Sequence, residues 1–328
     1  MTGSVLATSR QAMARGSRSF YLASRLLPGP LRDSSRLLYA WCRHCDDAID
    51  AQLLGHASPQ PDHDARKALE GLTERTERAL GDGPLDGPPF EALREVARRH
   101  ALPAGLVREH LRGFAMDVEG ARYELLDDTV TYSYRVAGVV GEMMAWLMGV
   151  RDRDTLDRAA DLGIAFQLTN IARDVLDDAR AGRVYLPRTW LDVEGLDGNT
   201  LADSRAHTGL TRVVGRLLDE ADRYYRSASA GIVRLSAREA WSIESARLIY
   251  REIGSEVRRR GTAAWDRRVV VSAPRKLALV ARAAMTVKGR RRNPAPPPSR
   301  ESLWPIPRPA AGDGLPPSGS PGPSPARP

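Results

Sequence analysis

Cysteine is scarce in this 328-residue chain: Cys42 and Cys45 are the only two. They form a C-x-x-C pair, but a structural zinc site takes about four ligands and no second Cys/His pair follows at suitable spacing. The pair lies in a run of helical periodicity with no strand before it, so a thioredoxin-like redox site lacks its scaffold. Two small residues on a packed helix are expected, in a chain whose low cysteine use fits a reducing cytosol. Aromatic residues make up 6%, with no RNA-binding aromatic signature, which argues against a nucleic-acid partner. Long apolar runs are missing too. The longest, Val136 to Val150, is broken by Glu142 and is shorter than the roughly 20 residues of a membrane span. Met1 to Ser17 has no apolar core of signal-peptide length. A cytoplasmic protein is expected, soluble or peripherally attached to a membrane. The one glycine cluster, Gly81, Gly83 and Gly87, sits among prolines after no strand, so it is a loop and not a dinucleotide fingerprint. No internal repeat occurs.

What is present is helix-forming sequence. Hydrophobic residues account for 42% of the chain, enough for one large core. The net charge of +8 and pI near 9.8 suit anionic partners such as phosphorylated substrates or lipid surfaces. Apolar residues three and four apart, in a background rich in Ala, Leu, Arg and Glu, predict helices over 34–53, 65–80, 90–100, 130–148, 155–178, 211–230 and 237–259. Gly- and Pro-rich punctuation separates them. The fold class is therefore all-α. Composition changes after Arg292: residues 293–328 hold more than half of the chain's 23 prolines. The expectation is a single domain over 1–292 and a disordered tail over 293–328.

Two acidic stripes carry the chemistry. In Arg43-His44-Cys45-Asp46-Asp47-Ala48-Ile49-Asp50, Asp46 and Asp50 are one helical turn apart and share a face. Alone, such a pair is most simply a solvated surface. The second segment, Gln167 to Asp178, changes that reading. Asn170, Asp174 and Asp178 are spaced four and four on a helix that is otherwise apolar. Two such stripes converging inside a bundle form a metal site. Oxygen-only donors select a hard cation, and Mg²⁺ takes one or two carboxylates with substrate phosphates completing its shell. Arg43 and Arg173, on the same helices, have the forked geometry that grips phosphate. In Tyr132 to Met144, Tyr132, Val136, Val139 and Met143 share a helical face. Gly138 and Gly141 there fit either close helix packing or a smooth wall for a lipid tail.

These segments resemble the squalene/phytoene synthase family. Tyr39-Ala-Trp-Cys-Arg-His-Cys-Asp-Asp47, Phe166-Gln-Leu-Thr-Asn-Ile-Ala-Arg-Asp174 and Gly182-Arg-Val-Tyr-Leu-Pro187 are closest to its bacterial phytoene-forming branch, and the resemblance runs from about Ser17 to Arg292. It implies a class I isoprenoid synthase helical bundle with a central cavity. It also implies head-to-head condensation of two geranylgeranyl diphosphates, through prephytoene diphosphate, to phytoene, the first step of carotenoid biosynthesis. By motif position, the implied metal ligands are Asp46, Asp50, Asn170, Asp174 and Asp178. The catalytic set adds Tyr132 and Tyr250 to the four aspartates. The substrate-binding set is Ser17, Ser19, Tyr39, Arg43, Gln167, Asn170, Arg173 and Arg268. Gly16 stands where relatives carry histidine. The implied cofactor is Mg²⁺, with Mn²⁺ as a substitute and no NADPH. The implied partners are the C20 diphosphate and downstream carotenoid enzymes.

Other readings stay open at this point: a C30 head-to-head synthase of the dehydrosqualene type, a class I terpene cyclase, or a non-enzymatic basic protein that binds membrane surfaces. The last is motivated by residues 276–292, where Leu277, Val280, Ala281 and Ala284 can share one face beside Arg282, Lys288 and Arg290–Arg292. The same segment gives the enzyme an expected peripheral membrane contact.

Overall fold

The computed structural model describes residues 3–50, 52–53, 56–57, 64–201, 203, 207–293 and 296–307. Helix α1 (Gly3–Gly16) and the short α2 (Arg18–Ser24) meet at extended Ser17, whose hydroxyl accepts a hydrogen bond from the Phe20 amide. Such a cap satisfies an amide that the first helical turn leaves unpaired. Proline starts α3 (Gly29–Ile49), where its missing N–H costs nothing. A two-residue antiparallel pair follows, β1 (Gln52–Leu53) with β2 (His56–Ala57). The chain continues through α4 (Ala65–Leu80), α5 (Pro88–His100), α6 (Ala104–Val118) and α7 (Leu126–Ser133). A π-helical turn, Tyr134–Gly138, leads into α8 (Val139–Leu147) and the long α9 (Arg153–Arg180). The remaining helices are α10 (Arg188–Val193), α11 (His207–Ile232), α12 (Ala237–Arg260) and α13 (Ala273–Arg292).

The all-α expectation holds, and every helix predicted from periodicity is present. Most have ends displaced by a few residues, and two differences matter for the site. The first acidic helix stops at Ile49, not Leu53, and the run over 130–148 is interrupted by the π-turn. Helix α9 is central, packed by α8, the π-turn, α11 and α12. Leu156, Ile164, Leu168, Ala165 and Ala172 are fully buried on more than one of its faces, as befits an enclosed helix. Contact between α9 and the preceding segment is backbone to backbone. A Cβ on Gly163 would lie 2.1 Å from the Ala137 carbonyl oxygen, and one on Gly141 2.2 Å from that of Ala159.

The expected domain boundary at Arg292 needs correction. Residues 296–307 lie against the bundle: the Arg300 guanidinium donates to both oxygens of Asp161, at 2.7 and 2.8 Å, and Trp304 packs on Tyr134. Proline-rich composition argued for disorder, but Arg300, Leu303, Trp304 and Ile306 give this stretch anchors that composition alone does not weigh. Residues 308–328 lie outside the described residues.

Candidate active site

A cavity of about 920 Å³ opens inside the bundle, bordered by all the site residues named from the sequence. One end is charged. On α3, Tyr39, Arg43, Asp46 and the C-capping Asp50 follow one another at helical spacing into the cavity. Gln167, Asn170, Arg173, Asp174 and Asp178 do the same along α9. The two stripes meet. At the end of α9, Gly182 takes φ +76° and the Arg183 amide bonds back to the Asp178 carbonyl at 2.9 Å. This glycine-dependent reversal turns the Arg183 guanidinium toward α3, where it lies 2.6 Å from Asp50 Oδ1.

The carboxylates are unequally served by cations. Asp174 receives Arg173 at 2.8 and 2.5 Å and Arg268 at 3.0 Å. Arg43 spends its best hydrogen bonds on Asp47, at 2.8 and 3.0 Å, and stands 3.4 Å from Asp46. Asp46 faces the cavity interior with protein around it; burial, then the nearby Asp50 and Asp47, push its carboxyl up to about 7 against the pull of Arg43. Burial and Asp174 push Asp178 to about 7 as well. The buried Asn170 Oδ1 has no hydrogen-bond partner. Oxygen donors in excess of their cations, with an orphaned amide oxygen between them, fit a hard divalent ion. Among the described residues no three His, Cys, Asp or Glu side chains already stand close enough to hold one; Asp50 and Asp174 are paired with Arg183 and with Arg173 and Arg268.

Several residues of this end had no motif to announce them. Asp117, on α6, accepts from the Tyr132 hydroxyl at 3.0 Å and the Tyr185 hydroxyl at 2.9 Å, and the two rings stack 4.6 Å apart. Burial raises the Asp117 carboxyl while these hydroxyls and Arg183 lower it. A lone aspartate carries no spacing signal. Arg183 and Tyr185 sit in the Gly182–Pro187 motif, which was the available clue. Phe20 and Phe166 build an aromatic cluster with Tyr250: Phe166 and Phe20 stack on its ring at 4.2 and 5.2 Å, and Tyr39 packs on Phe20 at 6.5 Å. Ser17, Ser19 and Tyr250 all border the cavity, and the Ser17 side chain acts on the Tyr250 hydroxyl against the upward push of burial. A Cβ on Gly16 would stand 2.4 Å from the Tyr39 hydroxyl, so glycine there lets that hydroxyl occupy the space.

The rest of the cavity is largely apolar, and its wall differs from the predicted helical face. Tyr132 and Val136 border it, but Val139 and Met143 are fully buried in the core. Val140 and Met144 take their places at the wall. The cause is the π-turn. Its Val139 amide bonds to the Tyr134 carbonyl five residues back, inserting one residue and rotating the following helix by about 100°. Gly138 faces Tyr134 and α9, so close packing is its role, whereas Gly141 both packs on α9 and borders the cavity. Cys42 borders the cavity and Cys45 is fully buried on packed α3. Burial raises both thiols, which removes thiolate chemistry at neutral pH.

The sequence model of the squalene/phytoene synthase family matches residues 13–275. A 15-cis-phytoene synthase of Pantoea ananas is 48% identical over 303 residues, covering 92% of this chain and 97% of that one. A 15-cis-phytoene synthase of a Paracoccus species is 50% identical over 300 residues, covering 90% and 96%. Among solved structures, a ligand-bound dehydrosqualene synthase superposes with a TM-score of 0.78 at 28% identity, covering 87% of this chain and 97% of that chain. A squalene synthase from Alicyclobacillus acidocaldarius shares the fold, with a TM-score of 0.68 at 24% identity over 79% of this chain and 94% of its own.

Proposed function

Because the chain belongs to the squalene/phytoene synthase family, we propose that it is a phytoene synthase, a prenyltransferase that joins two geranylgeranyl diphosphates head to head. The observation that carries this is identity near one half, over nine-tenths of the chain, to bacterial 15-cis-phytoene synthases. The cavity suits the chemistry, with acids and arginines at one end and apolar walls beyond. Two C20 diphosphates give one C40 hydrocarbon, two diphosphates and two protons, so no reductant is consumed.

Heterolysis of the allylic C–O bond needs the departing charge stabilised. Arg43, Arg173, Arg183 and Arg268 border the cavity's charged end, and their forked guanidinium groups suit the diphosphate. Asp46, Asp50, Asn170, Asp174 and Asp178 would hold Mg²⁺, or Mn²⁺ in its stead, which supplies Lewis acidity toward the leaving group when bound. Ser17 and Ser19 contribute hydroxyls from the α1–α2 junction, and Gln167 its amide. The stacked Phe20, Phe166 and Tyr250 rings, with Tyr39, form a lining that favours a passing carbocation by about 0.5–2 kcal/mol per ring without offering a strong nucleophile. Tyr132 and Tyr185 keep their hydroxyl protons engaged at Asp117. The apolar wall excludes the water that would quench the cation.

Feeding labelled C15 or C20 diphosphate with Mg²⁺ and weighing the product is the test. A C40 hydrocarbon from the C20 substrate is expected. A C30 hydrocarbon made in preference, or a cyclised C20 product, overturns the reading.

The lipid substrate and apolar product also argue for a membrane-surface contact through α13. Its packing face is Leu279, Ala283 and Val287, not the 277/280/281/284 set read from the sequence, and Leu277, Ala281 and Met285 remain exposed one turn apart. Arg282, Lys288 and Arg292 are exposed on the same helix, a pattern that suits an anionic bilayer. Leu277→Glu with Met285→Glu is expected to abolish sedimentation with phosphatidylglycerol vesicles at low salt; unchanged pelleting rejects the contact.

A further inference from the structure

We propose that residues 296–307 form a strap that positions the wall of the tail chamber, with Arg300 and Trp304 as its positioning residues; this rests on reading the cavity as the reaction site. The strap lies beyond the stretch matched to the family, which ends at residue 275. Its contacts converge on the back of one wall. Asp161, in the middle of α9, is fully buried and sits between Ala159 and Gly163, which face the π-turn and α8. Arg300 grips both of its oxygens, at 2.7 and 2.8 Å, and the Ser227 hydroxyl donates to it from α11. Taking a carboxyl group out of water is costly unless hydrogen bonds such as these replace those it loses.

The ionic contacts extend from Asp161 toward α8. Arg300 stands 3.7 Å from Asp157, which forms an ion pair with Arg153 at 2.6 Å. Arg153 is 3.6 Å from Glu142, a fully buried acid on α8. The strap's backbone is held as well: Arg158 donates to the Pro298 carbonyl at 3.2 Å, and the Trp304 amide donates to the Tyr224 hydroxyl at 3.3 Å. The Trp304 ring then lies 5.5 Å from that of Tyr134, the first residue of the π-turn. Tyr134 in turn fills the space beside Gly138, where an added Cβ would meet its Cδ2 at 2.8 Å. The turn that Tyr134 opens carries Val136 and Ala137, which border the cavity. Trp304 therefore presses, through Tyr134, on the element whose inserted residue sets which side chains face the substrate tail.

The test uses the full chain with Trp304→Ala, Trp304→Phe and Arg300→Gln. Two readouts are needed: hydrogen exchange of the amides over 134–143, and partition of C20 diphosphate between coupled C40 hydrocarbon and water-quenched C20 alcohol. In Trp304→Ala, exchange over the turn is expected to quicken about tenfold or more as its local opening becomes easier. The ratio of hydrocarbon to alcohol should fall roughly tenfold, with KM within about twofold because the charged end is untouched. Trp304→Phe should restore most of both. Arg300→Gln should act in the same direction with a lower melting temperature, and if it fails to fold the tryptophan pair decides. A Trp304→Ala enzyme with parental exchange and parental partition overturns the proposal. A parent enzyme that makes no C40 hydrocarbon would refute the functional reading, and the exchange comparison would still decide the strap.

Discussion

Gly163→Ala should damage both stability and product formation, although alanine is the better helix former. A Cβ at Gly163 would lie 2.1 Å from the Ala137 carbonyl oxygen, 2.5 Å from its carbon and 2.7 Å from the Gly138 Cα. All three atoms are backbone, so no rotamer change relieves the clash. Ordinary contact begins near 3.4 Å, so α9 and the π-turn must separate by about 1.3 Å. Forcing one extra carbon into packed structure costs about 1–3 kcal/mol, and a backbone clash belongs at the upper end. Better helix propensity returns about 1 kcal/mol. The net expectation is a loss of about 2 kcal/mol, or roughly 4 °C in melting temperature. The displaced segment borders the cavity, and if that cavity is the reaction chamber as proposed, an ångström of misplacement can cost about 100-fold in rate. Gly215→Ala is the matched control. It lies within α11 with nothing within 4 Å of an added Cβ, and should gain about 0.5–1 kcal/mol with activity unchanged. Calorimetry and hydrocarbon yield on both variants measure this. A Gly163→Ala enzyme that melts at or above the parent and turns over normally would refute the argument.

Three further outcomes are expected. Asp46→Asn and Asp174→Asn should each lower turnover by about 1000-fold; Asp46→Asn should melt no lower than the parent, since it removes a charge crowded by Asp47 and Asp50, and assay beside circular dichroism checks both. Chelation with EDTA should stop turnover and Mg²⁺ should restore it; persistence of activity in chelator removes the metal from the account. His110, buried and facing the Arg135 carbonyl at 3.2 Å, is lowered by burial from 6.5 to about 4. Between those values the unfolded chain binds the proton that the folded chain refuses, so stability present above pH 6.5 is lost as pH falls through this window, by about 3 kcal/mol at its foot. Denaturant titrations of the parent and His110→Leu across pH 4 to 7 should differ in slope, and parallel curves would contradict the buried neutral imidazole.

Much of the site was legible because its acids repeat at helical spacing on otherwise apolar sequence. Asp46, Asp50, Asn170, Asp174 and Asp178 could be placed on two facing stripes before any coordinates. Asp117 could not, since its partners Tyr132 and Tyr185 are far from it in the chain and meet it only through tertiary packing. The chamber wall was misread beyond Val136 for a different reason. Periodicity assumes a constant number of residues per turn, and one π-insertion shifts every later position. Helix α1 was missed because Val5 and Met13 are the buried apolar residues among those described in it, too few to mark a face. The strap at 296–307 was missed because composition averages over residues, while Arg300 and Trp304 act one at a time.

The Arg183–Asp50 and Arg268–Asp174 pairs have a consequence for how the enzyme loads. With these guanidinium groups engaged, an ion or a pyrophosphate that binds as proposed would, arriving alone, find part of its partners already taken. A polyanion that draws the arginines away frees the carboxylates for a cation, and a cation that takes the carboxylates frees the arginines for the polyanion. On the proposed assignment of ion and diphosphate to these groups, each ligand would raise the other's affinity by the same factor. Loading is then a trade of counterions, strongest when the two arrive as one neutralised complex.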